Sequence, residues 1–242
     1  MRQRTLLGVW AHPDDEAYLS AGLMAEFRNR GDRVVVVTAT LGEHGTNDPE
    51  QWPPHLLADL REVELRNALR AVGVDELRLL GYEDGTLDSF DDTDGCELLA
   101  EHILDVDADV IVTFGPEGMT GHPDHKAISR WTTGAWVETH CESELWYATL
   151  TPGFHRRWGA LNDEAGLWSD QPEPPCTELD GLVRTSSLLD NLLDQKISAL
   201  EAHGSQTGPL IDLVGRPLFR EWWRMESFRR VDPALVSESN AA

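Results

Sequence analysis

Two short clusters of histidine and aspartate contain the residue types that metal-assisted catalysis needs. They read AHPDDE at residues 11–16 and GHPDH at residues 121–125. His12 and Asp15 are three residues apart, as are His122 and His125, and this spacing lets side chains from a loop and the first turn of a helix converge. Two imidazoles and one carboxylate form a catalytic zinc set, because three protein ligands leave a fourth position for water. Five candidate side chains compete for these three positions, so we expect the others to do acid–base work.

Both clusters come after a predicted strand. Apolar residues from Thr5 to Trp10 precede the first cluster, and a predicted strand from Asp109 to Phe114 precedes the second. Between them, the consecutive valines from Val34 to Val37 are typical of a strand buried on both faces. Strands alternate with helices over residues 1–150, which predicts an α/β fold with a Rossmann-like, doubly wound, mostly parallel sheet. In the common strand order 3-2-1-4-5, strands 1 and 4 are neighbours, so the clusters should face each other where ligands bind.

Beyond residue 150 the pattern becomes irregular. Thr151 to Gly181 holds four prolines and no clean periodicity, a helix is predicted from about Ser186 to Ala202, and a tryptophan-rich stretch surrounds Trp222. We expect residues 151–242 to form an irregular extension with a C-terminal helix that covers the Rossmann-like core. No second core is evident, so residues 1–242 are predicted to form a single domain. The tryptophans near Trp222 are interpreted as core residues.

Each residue of the clusters also has an ordinary structural interpretation. A single aspartate such as Asp14 or Asp15 before a helix is usually an N-cap, and Pro123 suits the first position of a helix. The coincidence of two such clusters at loops that the topology brings together favours a metal site. The first predicted strand is not followed by GxGxxG, and GxSxG is absent, which argues against dinucleotide binding and serine hydrolysis. The six other histidines are interpreted as surface or structural residues.

Composition excludes several classes of partner. The 242 residues include 20 Lys and Arg against 43 Asp and Glu, a net charge of −23. Nucleic acids and anionic membrane surfaces are bound chiefly through basic patches, so neither is an expected partner. The longest wholly aliphatic run, Val34 to Val37, is far shorter than the roughly 20 residues that span a bilayer. The N-terminal residues lack the apolar core of a signal peptide, so we expect a cytoplasmic protein, either monomeric or homo-oligomeric.

The cysteines give no sign of a disulfide framework or a thiolate metal site. Cys96, Cys141 and Cys176 are far apart and form no CxxC pair. Imidazole and carboxylate groups must therefore hold any metal.

The sequence resembles the zinc-dependent de-N-acetylases of the LmbE and PIG-L type, which include the deacetylases of mycothiol and bacillithiol biosynthesis. The two clusters carry the resemblance, and they are highly specific as a pair. Further matches are TLGEHG at 40–45, Arg61-x-x-Glu64 with Ala68 and Gly73, GYEDGTL at 81–87, and Lys196-x-x-Ala-Leu-x-x-His203-x-Ser-Gln. Together they cover the chain from about residue 5 to 206 in the family's order.

The resemblance implies a role for each residue of the clusters. His12, Asp15 and His125 would bind zinc, and Asp14 would be the general base. His122 would act as the acid or as the stabiliser of an oxyanion. This assignment fits the chemistry, because zinc lowers the pKa of water from 15.7 toward about 7 and an adjacent carboxylate can take the proton.

Two further residues are implied to orient a sugar, namely Arg61 and Asp84. Arg61 is expected to contact the substrate rather than to hold the fold. Thr120 departs from the pattern, because the mycothiol enzymes that the chain resembles carry a tyrosine in the corresponding place.

The leading hypothesis is therefore a zinc-dependent deacetylase with a small-molecule amino-sugar substrate. Hydrolysis of an N-acetyl group on a molecule that contains N-acetylglucosamine would release a free amine and acetate. One alternative is a metal-dependent phosphoesterase, which would more often use two metals and could draw ligands from the acidic loop Glu83 to Asp94. The other alternative is a catalytically silent Rossmann-like binding module.

Overall fold

A computed structural model describes residues 2–140, 142–167 and 174–234. The strands are β1 (Thr5–Trp10), β2 (Arg33–Thr38), β3 (Glu76–Leu79), β4 (Val110–Phe114), β5 (Glu144–Ala148), β6 (Arg184–Ser187) and β7 (Met225–Arg230). The helices are α1 (Asp15–Asn29), α2 (Pro54–Ala71), α3 (Asp92–Val106), α4 (Pro123–Glu138), α5 (Pro152–Glu164), α6 (Asp190–Ala202), α7 (Gly204–Val214) and α8 (Arg216–Trp222). Part of the segment predicted to be irregular, 168–173, and the last eight residues lie outside the described residues.

The strands form one mixed sheet in the order β3-β2-β1-β4-β5-β7-β6. The first five pair in parallel, in agreement with the predicted α/β class and with the predicted order of strands 1 to 5. β7 then pairs with β5 in the antiparallel sense, and β6 pairs with β7 in the same sense. The sheet is therefore mostly parallel, with an antiparallel edge.

The prediction of an irregular C-terminal extension is wrong for much of that region. Residues 152–164 form α5, and β6 and β7 continue the sheet beyond β5. The helix predicted from Ser186 begins only at Asp190, because Ser186 lies in β6 opposite Glu226. The sequences RTSS and MESFRR contain few apolar residues, so they lack a strand pattern. Pairing with strands distant in the chain decides their conformation.

Helices on both faces bury the centre of the sheet. The valines from Val34 to Val37 are at most 2% exposed, as expected for a strand covered on both sides. α6 packs against both α1 and α2, and α3 packs against α4. The strand order reverses between β1 and β4, so crossovers of the usual right-handed sense place these two groups of helices on opposite faces. No helix in the described ranges is long and apolar enough to cross a membrane.

Neighbouring strands bring the two polar clusters to the same edge of the sheet. β1 and β4 run in parallel with Leu7 opposite Ile111, so their carboxyl ends lie side by side. The chain leaves β1 at Trp10 and enters the first cluster, where α1 begins at Asp15. His122 is the N-cap of α4, which starts within the second cluster. This edge is where the strand order changes direction, the usual position of a ligand site in an open α/β sheet.

A buried ion pair joins the C-terminal region to α1. Lys196 on α6 donates to the Tyr18 carbonyl at 2.7 Å and to the Glu226 carboxylate at 2.9 Å. Glu226, on β7, also accepts hydrogen bonds from the backbone N–H groups of Gly22 and Leu23 in α1. Burial lowers the pKa of Lys196, whereas the charge of Glu226 and its hydrogen bond raise it. These contacts fix α1, α6 and β7 relative to one another.

Close packing of α3 on α4 requires a small residue at Gly95. A Cβ atom there would overlap the indole ring of Trp131, which is fully buried and donates a 2.8 Å hydrogen bond to Asp92. The Gly95→Ala variant should therefore lose about 1–3 kcal/mol of unfolding free energy, the usual cost of overpacking a core. Denaturant unfolding measures this loss.

Gly153→Ala is the matched control for that substitution. Gly153 lies in the first turn of α5, and an added Cβ there meets only ordinary contacts of 3.6 and 3.9 Å. Its unfolding free energy should stay within about 0.5 kcal/mol of the parent. Equal stabilities for the two variants would contradict the packing argument.

Candidate active site

A cavity of about 370 Å³ opens at the carboxyl ends of β1 and β4. Its volume is within the range of small-molecule sites. All seven site residues named from the sequence line it, namely His12, Asp14, Asp15, Arg61, Asp84, His122 and His125. The fold thus brings together residues from both clusters, from α2 and from the loop that follows β3.

Side chains of three residues from the two clusters converge in this cavity, and we call His12, Asp15 and His125 the donor triad. Nδ1 of His12 lies 3.1 Å from Nε2 of His125. Nε2 of His125 lies 3.3 Å from Oδ1 of Asp15, and Nδ1 of His12 lies 3.8 Å from Oδ2 of Asp15. All three residues are at least 92% buried. Asp15 is further fixed because its Oδ2 accepts the backbone N–H of His12 at 2.8 Å.

Carboxylates and a carbonyl hold the opposite nitrogen of each triad imidazole. Nε2 of His12 lies 3.0 Å from Oδ1 of Asp84 and 3.2 Å from Oδ2 of Asp124. Nδ1 of His125 lies 2.9 Å from the carbonyl of Gly118. A carboxylate or carbonyl partner requires a proton on the nitrogen that it faces, so Nδ1 of His12 and Nε2 of His125 are left to offer lone pairs to the cavity.

The negative charge around His12 is large. Burial by itself would lower the pKa of His12, but its contacts with Asp124, Asp84 and Asp15 outweigh burial and raise the pKa to about 10. A proton held on Nδ1 of His12 can be shared with Nε2 of His125, 3.1 Å away. The pKa of His125 is well below its usual range, through burial and the neighbouring charge of His12. The negative charges that favour a proton on Nδ1 of His12 also favour a divalent cation at the same nitrogen, and binding of the cation would release the proton.

Asp14 stands next to the triad in an unusual backbone conformation. Its φ of 110° lies in the left-handed region that non-glycine residues rarely adopt. Asp14 is the N-cap of α1, but its side chain makes no capping hydrogen bond, so the ordinary N-cap interpretation does not account for it. Burial raises the pKa of the Asp14 carboxyl to about 6, against the opposing effect of Arg61.

Two residues that the sequence reasoning missed hold the Asp14 backbone in place. The carboxylate of Glu16 accepts the backbone N–H of Asp14 at 3.0 Å, and its other oxygen lies 2.8 Å from Nε2 of His203. Both Glu16 and His203 are at most 1% exposed. In the sequence, only the position of Glu16 in AHPDDE and of His203 in the His203-x-Ser-Gln match indicated that these two residues could matter.

His122 presents a hydrogen-bond donor to the cavity. Its Nδ1 accepts the backbone N–H of Asp124 at 3.2 Å, so the neutral ring carries its proton on Nε2. The ring lies edge-on to His12, with the centroids 4.8 Å apart. Burial and the charge of His12 lower the pKa of His122, which keeps the neutral form available.

Arg61 lines the cavity but also holds its loops together. The residue is 4% exposed, and its guanidinium donates to the carbonyls of Gly42 and Pro13. It also lies 3.4 Å from the carboxylate of Asp14. The expectation that Arg61 contacts substrate rather than holding the fold is therefore incomplete, because three of its contacts are made within the protein.

Asp84 and Asp124 support His12. Both oxygens of Asp84 are engaged, one with His12 and one with the backbone N–H of His44 at 3.0 Å. These hydrogen bonds outweigh burial and hold the pKa of Asp84 below its usual range. Asp124, which was given no separate role from the sequence, is fully buried and accepts backbone N–H groups from Gly85 and Leu87. The implied contact between Asp84 and a sugar stays a prediction.

Comparison with known proteins places this geometry in a chemical context. A family model described as GlcNAc-PI de-N-acetylase, PIG-L, matches residues 7–136. The chain is 42% identical over 236 residues to a probable N-acetyl-alpha-D-glucosaminyl L-malate deacetylase 2 of Bacillus subtilis, with 94% of this chain and 97% of the relative covered. It is 32% identical over 226 residues to a 1D-myo-inositol 2-acetamido-2-deoxy-alpha-D-glucopyranoside deacetylase of a Mycobacterium species, strain KMS, with 83% of this chain and 73% of the relative covered.

A solved structure shares the fold. The N,N'-diacetylchitobiose deacetylase from Pyrococcus horikoshii superposes with a TM-score of 0.68 at 20% identity, covering 94% of this chain and 84% of that chain. At this level of identity the similarity concerns the fold.

The contacts of Arg61 predict a loss of stability when the guanidinium is removed. Arg61→Ala leaves the buried carbonyl of Pro13 without its donor and removes one of the two donors to the carbonyl of Gly42, which keeps the backbone N–H of Gly45. It should cost about 2 kcal/mol of unfolding free energy. Arg66→Ala is the control, because Arg66 is on the same helix and forms an exposed pair with Glu62, and it should change stability by less than about 1 kcal/mol. If thermal unfolding of Arg61→Ala matches that of Arg66→Ala, the loop-holding role is refuted.

Proposed function

The chain belongs to the PIG-L family of GlcNAc-PI de-N-acetylases, and from this premise we propose that it is a zinc-dependent hydrolase. The proposed reaction removes the N-acetyl group from a small molecule that contains N-acetylglucosamine, releasing a free amine and acetate. Relatives that match most of the chain are named as deacetylases of such molecules. We further propose that residues 1–242 act as one domain, since β7 and β6 complete the sheet begun by the first five strands.

The observation that carries the proposal is the convergence of the donor triad. Tetrahedral zinc ligands bonded at about 2.0–2.2 Å lie roughly 3.3–3.6 Å from one another. Nε2 of His125 lies at similar distances of 3.1 Å from Nδ1 of His12 and 3.3 Å from Oδ1 of Asp15, and the other oxygen of Asp15 lies 3.8 Å from Nδ1 of His12. The protonated nitrogens of His12 and His125 face oxygen partners, as is usual for imidazoles that bind a metal through the other nitrogen. We therefore assign zinc binding to His12, Asp15 and His125.

The remaining groups can manage the protons of an amide hydrolysis. Zinc, when bound, supplies Lewis-acid activation of water and of an amide carbonyl. Asp14, beside the triad and with a pKa near 6, takes the proton of the attacking water on its carboxylate. His122 donates from Nε2 to the carbonyl oxygen as negative charge develops there. The carbon–nitrogen bond then breaks as Asp14 passes the proton taken from water to the leaving nitrogen. The products are the free amine and the carboxylic acid, which ionises to acetate at neutral pH.

The contacts of Asp84 and Asp124 favour this reaction over two-metal phosphoester hydrolysis. A second metal near His12 would need oxygens from these carboxylates. Those oxygens already accept hydrogen bonds from His12 and from the backbone N–H groups of His44, Gly85 and Leu87. They are thus better suited to orienting His12 than to binding a second metal.

A screen for released amine tests the proposed function. The zinc-loaded protein is incubated with N-acetylglucosamine conjugates, and free primary amine and acetate are measured. The proposal predicts that the two products appear in equal amounts. Release of phosphate from phosphoesters without amine release would favour the phosphoesterase. Activity on neither class would favour a silent binding module.

Asp15→Asn should weaken metal binding, because it replaces a charged donor of the three-ligand site by a neutral amide. Metal analysis after dialysis should find well below one zinc per chain, and excess zinc should restore part of the activity. A variant that retains one zinc per chain would refute Asp15 as a ligand.

Asp14→Asn should keep its zinc but lose catalysis. The amide has nearly the same size and leaves the donor triad intact, yet it cannot accept a proton. A fall in kcat of about 10² to 10⁴ is expected, with little change in KM and no rescue by added zinc. Loss of zinc from Asp14→Asn, combined with its retention in Asp15→Asn, would mean that the two roles are exchanged.

A further inference from the structure

One side of the cavity is apolar, and we call it the apolar wall. Its residues come from α1, α5 and α7 and from the segments that follow β5, α5 and α8. They are Tyr18, Leu19, Leu150, Phe154, Leu167, Leu210 and Trp223. The polar residues described above line another part of the cavity, and the remaining lining residues are Gly45, Phe114, Met119, Thr120 and Gln206. A substrate whose acetamide lies at the donor triad would therefore meet a second, chemically different surface.

Three aromatic rings form the centre of the apolar wall. Tyr18 packs edge-on against Trp223 with the ring centroids 4.5 Å apart, and Phe154 lies 6.4 Å from the same indole. Trp223, interpreted from the sequence as a core residue, is 9% exposed and lines the cavity. Its neighbour Trp222 is fully buried and donates to Asn162 at 2.9 Å.

The wall is held rigidly from behind. The carbonyl of Tyr18 accepts the buried ammonium of Lys196, which also binds Glu226 of β7. A rigid aromatic surface loses little entropy when an apolar group packs on it. The wall is therefore organised before a ligand arrives.

The described residues that line the cavity offer almost no group that could bind an anion beyond the donor triad. Among them, Arg61 is the only Lys or Arg, and its guanidinium is already bound to two carbonyls and Asp14. Asp14, Asp15 and Asp84 add negative charge to the lining. Residues 168–173, which follow Leu167 in the chain, include no Lys, Arg or His. A carboxylate placed on the apolar wall would thus be desolvated without a cationic partner.

From this contrast, and resting on the proposed deacetylase function, we propose that the substrate is an N-acetylglucosaminide with an uncharged, apolar aglycone. An aromatic ring or short alkyl chain on the sugar would pack against Tyr18, Phe154 and Trp223. The relative from Bacillus subtilis, by contrast, is named for an L-malate conjugate, whose aglycone bears two carboxylates at neutral pH. The apolar wall of this chain does not suit an aglycone with two negative charges.

Kinetics on a matched series of conjugates test the proposal. N-acetylglucosaminides of the same linkage carry methyl, phenyl, hexyl, inositol or malate groups, and released amine gives kcat/KM for each. We expect the phenyl or hexyl conjugate to exceed the methyl conjugate by about 10-fold or more, and the malate conjugate to be the poorest. The phenyl and hexyl arms decide whether the aglycone is aromatic or aliphatic.

A charge placed on the apolar wall should reverse the preference. Leu210 is partly exposed on α7, so Leu210→Arg can fold while it adds a cation to the cavity. This variant should lower kcat/KM for the phenyl conjugate and raise it for the malate conjugate. Leu213→Arg is the control, because Leu213 is on the same helix, 52% exposed and outside the cavity lining. It should leave both values unchanged.

Binding to the Asp14→Asn variant separates the two proposals, because it needs no turnover. Calorimetry should give a dissociation constant for the phenyl conjugate about 10-fold or more below that for the malate conjugate. A malate preference in both binding and turnover would overturn the inference and leave the deacetylase function standing. Failure to deacetylate any conjugate, with the phenyl preference in binding retained, would overturn the proposed function instead.

Discussion

The pairing of β1 with β4 is the contact on which the rest of the site depends. It brings two clusters that are 113 residues apart in sequence to within 3.1 Å, measured between His12 and His125. Each cluster leads from a strand into the start of a helix, so the polar groups lie at the carboxyl edge while the strands themselves remain apolar. The sheet can therefore bury a continuous core and still bring polar side chains together at one edge.

Those donor atoms are useful only because other buried groups orient them. Asp84 and Asp124 concentrate negative charge on the far side of His12, and the resulting field strengthens the attraction of the cavity for a proton or a cation. Glu16 and His203 stabilise the left-handed backbone of Asp14 from the opposite side. The strained backbone of Asp14 and the concentrated charge around His12 both destabilise the folded state. They are tolerated because backbone and side-chain groups donate hydrogen bonds to the carboxylate oxygens of Glu16, Asp84 and Asp124.

The C-terminal region adds a surface of different chemistry to this polar edge. β7 extends the sheet past β5, and the ion pair between Lys196 and Glu226 ties it to α1. The same contacts set Tyr18 against Trp223, so the fold and the apolar wall share one set of restraints. The polar edge proposed to act on the acetamide is thereby combined with a wall that, in our proposal, discriminates between aglycones.

The sequence by itself determined the parts of this protein that local pattern encodes. The valine run marks β2, the alternation of strands and helices predicts the order of the first five strands, and the two clusters identify five of the residues that line the cavity. Only the tertiary structure revealed that Arg61 binds the carbonyls of Gly42 and Pro13, that Asp124 supports His12, and that β6 and β7 extend the sheet. Each of these depends on groups distant in the chain. The hydrophobic periodicity of a segment indicates which of its residues are buried. The contacts that those residues make are decided by packing and by the need to satisfy every buried polar group.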